Sequence, residues 1–222
     1  MKTQYFLNFL IFFLLAIAAC APLAKERYYA PRLGEEEFWQ YREVGLASWY
    51  GAEYHGRPTA NGEIYDMYAS TAAHRTLPFH TIVRVVNLEN GKATKARIND
   101  RGPFIPGRII DLSRKGAQEI GILTTGTARV SLEVIGFTGK SPPSLEGTFT
   151  IQVGAFAEKE NAWRLQERLQ KRYDRVHIAL WENNNQRFYR VRVGSFRTEA
   201  EARRYGEFLR QENLPVFIVR ED

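Results

Sequence analysis

Short stretches in which apolar and polar residues alternate recur along the first two thirds of the chain, and each predicts a half-buried strand. Gly45-Leu46-Ala47-Ser48-Trp49-Tyr50 is one, ended by Gly51. Thr81-Ile82-Val83-Arg84-Val85-Val86-Asn87-Leu88 is a second, and Lys95 to Asn99 a third, the pair joined through Asn90-Gly91 as a hairpin. Arg108-Ile109-Ile110-Asp111-Leu112 and the run from Ala128 to Ile135 add two more. Between them Ser113 can cap a short helix that Gly121 ends. Many short strands with one short helix predict a small closed β-barrel over residues 45–136.

The pattern changes after the proline-bearing stretch 137–147, which reads as a linker. Ile151-Gln152-Val153-Gly154-Ala155-Phe156 recurs as Val191-Arg192-Val193-Gly194-Ser195-Phe196. Each copy leads into an amphipathic helix (158–173 and 198–212) and then a β-rich run (176–181 and 216–219). Two such halves over residues 148–222 predict a ferredoxin-like βαββαβ domain, a four-stranded antiparallel sheet with both helices on one face. Ile151, Val153, Val191 and Val193 would face the helices, and Gln152, Arg190 and Arg192 the uncovered side. The fold class is therefore mainly β plus α+β.

The N-terminus carries a different signal. Lys2 precedes an apolar run from Phe6 to Ala19, broken only by Asn8, and then Cys20. This reads as a signal peptide over residues 1–20, too short for a comfortable transmembrane helix. Ile17-Ala18-Ala19-Cys20 resembles a bacterial lipobox, which implies lipidation of Cys20. Residues 21–44, with Pro22, Pro31, Gly34 and the triplet Glu35-Glu36-Glu37, read as a tether with at most a helical turn at 35–41. With one cysteine, no internal disulfide can form.

The 222 residues fit two small domains, and a formal charge of +6 favours an anionic partner without choosing among nucleic acid, lipid headgroups and acidic polymers. Candidate chemistry gathers in two places. Asn99-Asp100-Arg101-Gly102-Pro103-Phe104 puts a carboxylate at a strand end beside a turn, a position suited to a general acid or base. By itself that stretch favours the plainer reading, in which Asp100 does no more than cap the turn. The polar loop 59–66 carries Glu63 and Asp66, and Thr71-Ala72-Ala73-His74 follows. These carboxylates with His74 would suffice for acid–base cleavage of a glycosidic bond. Trp49, Tyr50 and Tyr54 could stack on sugar rings, although core packing is the default for each. His55, His74 and His80 lack a zinc spacing, so no metal is expected, and no strained serine elbow is present.

Both halves resemble known families at these residues. Residues 47–51, the 59–66 loop, 71–74, Asn99-Asp100-Arg101-Gly102-Pro103 and 108–113 resemble, in order and spacing, the double-psi β-barrel of the rare lipoprotein A family. The paired Val-Gly-x-Phe signatures at Val153 and Val193 resemble the SPOR repeat. The resemblance implies a cofactor-free lytic transglycosylase that cleaves the MurNAc-β-1,4-GlcNAc bond of peptidoglycan strands poor in stem peptides, leaving 1,6-anhydroMurNAc ends. It implies Asp100 as the acid/base, with Glu63, Asp66 and His74 orienting substrate, and Trp49, Tyr50 and Arg101 as contacts in the barrel. Gln152, Phe188 and Arg190 match SPOR glycan-binding positions, while Ala155 stands where a serine is common. The implied partners are glycan strands, the outer membrane through an N-terminal lipid, and divisome proteins; the implied place is the periplasmic face of that membrane at the septum. An Arg-rich sheet also resembles an RNA-recognition fold, but it lacks the aromatic-rich strand, so no nucleic acid is expected. A wall-binding protein that does not cut, and a hydrolase using Glu63 or Asp66 to activate water, are the alternatives.

Overall fold

The computed structural model describes residues 35–139, 144–182 and 187–221. The signal peptide, Cys20 and most of the tether lie outside them. Six strands, β1 (Arg42–Trp49), β2 (Thr71–His74), β3 (Thr81–Asn87), β4 (Ala93–Asp100), β5 (Arg108–Leu112) and β6 (Ala128–Phe137), close into a barrel in the order β1-β5-β2-β4-β3-β6. Parallel pairing of β1 with β5 and of β2 with β4, beside antiparallel β2–β5, is the crossed connectivity of the double-psi barrel. Inward residues such as Val83, Val85, Ile98, Ile110, Val130 and Leu132 fill its interior. The hairpin turns where expected, with Gly91 at φ 71°. Helix α2 (Arg114–Ile120) starts on Ser113, whose hydroxyl accepts from the Gly116 amide, and stops at Gly121 in the left-handed conformation.

The barrel begins earlier than residue 45. Helix α1 (Glu35–Trp39) buries Phe38 completely against Phe137, ring centroids 6.4 Å apart, and β1 starts at Arg42. One apolar side chain placed where it can seal the barrel makes this end of the expected tether part of the domain.

The second domain has strands β7 (Phe149–Phe156), β8 (His177–Glu182), β9 (Arg187–Phe196) and β10 (Phe217–Arg220) in the antiparallel order β10-β7-β9-β8. Helices α3 (Lys159–Gln170) and α4 (Glu199–Arg210) pack on it, and Ile151, Val153, Val191 and Val193 are buried with Ala162, Leu169, Ala202 and Leu209. Those four strand residues face the helices as the alternation predicts.

The other face is not simply open. Gln152 is only 2% exposed, and its Oε1 has no hydrogen-bond partner. It sits on a central strand with Phe217 and Arg192 in register on either side, so larger neighbours cover it. Hydrogen bonds also join this domain to the barrel. Arg101 Nε donates to the Arg220 carbonyl and the Arg220 amide donates to the Arg75 carbonyl, both at 3.0 Å.

Candidate active site

The pairing of β2 with its two neighbours sets the position of the carboxylates. Ala73 is the register partner of Asp100 on β4 and of Asp111 on β5, and Asp111 in turn pairs with Ser48 on β1. Register partners point to the same side of a sheet, so Asp100 and Asp111 flank a residue too small to fill the space between them. On β4 the pairing skips Asn99, since Ala72 faces Ile98 while Ala73 faces Asp100. This extra residue lets Ile98 point into the core and Asp100 leave it.

Asp100 and Asp111 line a cavity of about 260 Å3 together with Tyr50, Tyr54, Thr59 and Tyr65. Asp100 Oδ1 accepts from the amides of Ala60 (2.9 Å) and Arg101 (2.8 Å), and Oδ2 accepts from the Tyr50 hydroxyl (3.1 Å). Burial nevertheless pushes the Asp100 carboxyl above its ordinary pKa, because the donors only partly offset desolvation of the anion. Burial likewise raises Asp111, against the Ser48 hydroxyl that donates to it and with Asp100 adding repulsion. Tyr50 stays a neutral donor, raised well above 10 first by burial and then by Asp100. Its ring lies 5.4 Å from Tyr54 and 5.5 Å from Tyr65, an aromatic floor beside the carboxylates.

The structure does not bring the other expected catalytic residues to this cavity. Glu63 anchors the 59–66 loop instead. Its carboxylate takes two hydrogen bonds from Arg97, each 2.8 Å, and one from Asn99 at 3.0 Å, and these contacts hold its pKa at about 2. With Asn61 N donating to the Asn99 carbonyl, the anchor carries Ala60 N to Asp100. Asp66 is exposed, accepts from the Tyr68 amide and stands 3.9 Å from His55. His74 is 1% exposed and lines a separate cavity of about 400 Å3. There its Nε2 is 3.0 Å from Glu43, and its Nδ1 accepts from the amides of Thr76 and Leu77. Adjacency in sequence gave no indication of which side of β2 the histidine takes.

The expected substrate contacts divide in the same way. Tyr50 lines the Asp100 cavity, whereas Trp49 packs on the barrel core. Arg101 borders the cavity, but its guanidinium lies over Phe79 at 3.7 Å and donates to the carbonyls of His74 and Leu77. Phe188 and Arg190 of the second domain also line the cavity, as does Trp181, while Gln152 does not. Asp111, Arg57 and Trp181 were not singled out from the sequence. Asp111 lies in an ordinary alternating strand, and only the β2–β5 register sets it beside Asp100.

A closed double-psi barrel holding a buried carboxylate in an aromatic cavity, followed by a ferredoxin-like sheet, defines a two-domain class. Residues 42–132 match the family described as lytic transglycolase, and residues 145–220 match the SPOR domain. The protein named endolytic peptidoglycan transglycosylase RlpA in Helicobacter pylori strain J99 is 40% identical over 206 residues, covering 80% of this chain and 63% of the relative. The protein of that name in Campylobacter jejuni is 38% identical over 202 residues, covering 80% of this chain and 71% of the relative. In Pseudomonas aeruginosa the identity is 59% over 95 residues, 43% of this chain and 28% of the relative. The chain belongs to the RlpA family.

Proposed function

We propose that this protein is a peptidoglycan lytic transglycosylase with Asp100 as its acid/base. The observation that carries the reading is a buried carboxyl with a raised pKa, held by three donors on the wall of an aromatic cavity. Protonated Asp100 gives its proton to the glycosidic oxygen as the C1–O bond breaks. The MurNAc 6-hydroxyl oxygen then bonds to C1, and its proton passes to the Asp100 carboxylate. The acid is thereby restored, no water is consumed, and the product is a 1,6-anhydro ring. The family supports the reading, and its relatives bear endolytic in their names, which favours cuts within strands.

In this scheme Tyr50 holds Asp100, Tyr54 and Tyr65 offer ring faces to sugar, and Glu63 positions the loop that supplies the Ala60 amide. Attachment through Cys20, residence at the periplasmic face of the outer membrane, and concentration at the septum through the SPOR domain complete the proposal, with divisome proteins as candidate partners.

A hydrolase remains the second reading because Asp111 shares the cavity, and two carboxylates around a glycosidic bond can activate water. It replaces the Glu63 and Asp66 of the sequence expectation. Mass spectrometry of products from sacculi stripped of stem peptides separates the readings. Anhydro-MurNAc ends support the transglycosylase, products heavier by one water the hydrolase, and tight binding with intact glycan a wall-binding protein that does not cut.

A further inference from the structure

One guanidinium is bracketed by aromatic rings from opposite domains. Arg190 Cζ on β9 lies 5.0 Å from the ring centroid of Phe104, on the barrel loop that follows Asp100, and 5.1 Å from that of Trp181 on β8. Phe104 also meets Phe217 of β10 edge-on, centroids 6.1 Å apart. The catalytic loop therefore stands on the face of the second sheet that its helices leave free. The cavity at Asp100 is walled from both sides, by Tyr50, Tyr54 and Asp100 of the barrel and by Trp181, Phe188 and Arg190 of the sheet.

We propose that Trp181, Phe188 and Arg190 form the second wall of the saccharide subsite at Asp100, so that one sugar ring is held between the two domains while its linkage is cleaved. The proposal rests on the transglycosylase reading and extends it, because the second domain then positions substrate at the cleavage step as well as delivering the enzyme to its polymer. The chemistry of the wall suits a pyranose. Trp181 and Phe188 lie 5.7 Å apart with their planes tilted by 37° and offer apolar faces to the ring's C–H bonds. Arg190, with aromatic rings over its faces, keeps the N–H donors of its edge for hydroxyl oxygens. A cavity of about 260 Å3 fits one sugar ring better than a length of strand, being just below the ~300–1,000 Å3 common for small-molecule sites.

Arg190 also acts on Asp100. Burial first, then Arg192, lowers the Arg190 pKa to about 10, so it remains a cation at neutral pH, and its charge works to lower the pKa of Asp100. Tyr50, just past β1, and Asp111 on β5 also face Asp100, and Tyr54, Arg57, Tyr65 and Arg101 line the same cavity. Removing the cation therefore moves the Asp100 limb of the pH–rate profile upward.

The test uses the full chain in detergent and a soluble, peptide-free oligosaccharide of alternating MurNAc and GlcNAc, on which septal targeting has no influence. Arg190→Gln should lower kcat/KM about tenfold and shift the Asp100 limb to higher pH. Arg190→Lys should restore the limb without restoring KM, and Trp181→Ala should raise KM. Phe208→Ala, on the outer surface of α4 and 62% exposed, should change nothing. Wild-type kcat/KM and an unshifted profile in folded Arg190→Gln and Trp181→Ala would overturn the shared wall, with Trp181→Leu in reserve should the alanine variant not fold. If the parent chain does not cleave at all, the transglycosylase reading has failed, and oligosaccharide binding to Asp100→Asn decides the wall separately. Non-additive losses from Tyr54→Ala and Trp181→Ala would support one site, and binding indifferent to Tyr54→Ala would overturn it.

Discussion

Arg97 grips Glu63 through two parallel hydrogen bonds, each 2.8 Å, on the outer side of the loop that feeds an amide to Asp100. In the proposed mechanism the grip makes Glu63 a positioning residue. Arg97→Ala and Glu63→Gln should therefore lower kcat to a similar extent, roughly tenfold to a hundredfold, because each frees the same loop. A Glu63→Gln enzyme far less active than Arg97→Ala would instead place the Glu63 carboxylate on the substrate.

Asp100→Asn should abolish turnover, a loss of at least ~10²-fold, without lowering the melting temperature. The sign follows from the raised carboxyl. Above its unfolded-state pKa, an ionised Asp100 is more comfortable in the unfolded chain, so stability falls as pH rises from that value through the folded one. Asparagine removes this cost. Thermal melts at pH 4 and pH 7 should show the variant gaining on the parent at the higher pH.

His74 and Glu43 hold the fold together, and their loss should show in stability before activity. His74→Ala leaves two buried amides without their acceptor, a cost on the order of 2–4 kcal/mol. Burial opposes ionisation of Glu43, yet the hydrogen bonds that it accepts from His74 and Tyr41, with the nearby Arg75 cation, bring its pKa from 4.5 to about 2. A depressed carboxylate stabilises fully above 4.5 and loses that contribution as pH falls toward 2. Chemical denaturation of Glu43→Gln against the parent should show a gap of roughly 2–3 kcal/mol at pH 6 that closes through this window. A His74→Ala chain with the parent's melting temperature and no activity would return His74 to the chemistry.

Asp111→Asn should slow cleavage by about tenfold to a hundredfold, mainly in kcat. Ser48→Ala should do less, since it removes only a donor to Asp111. Product masses decide the role of Asp111. Anhydro ends that persist in the slow variant make it an auxiliary to Asp100, and a parent that releases hydrolysed ends makes it the base for water.

Much of the architecture was legible because water faces one side of most strands. β3 and β6 show their alternation in the sequence, and Ser113 and Gly121 mark the ends of α2 through their own backbone needs. The repeat at Val153 and Val193 located the second core. β2 was recognisable only as a motif, because Thr71, Ala72, Ala73 and His74 are all buried and no alternation survives. Of the residues that the sequence singled out, Asp100, Tyr50, Arg101, Phe188 and Arg190 line the candidate cavity. Asp111, the paired His74 and the covered Gln152 depend on which strands lie side by side, which no local pattern encodes.

Asn99 is the extra residue of β4, and it ties the strand that carries the proposed acid/base to the loop that serves it. With the residue deleted, Asp100 would follow Ile98 directly and, by ordinary alternation, would still oppose Ala73 and turn out of the core. What would vanish is the Asn99 side chain that donates to Glu63 and the carbonyl that accepts from the Asn61 amide, so a single-codon deletion would release the loop that carries the Ala60 amide while every named residue of the cavity remained in the chain.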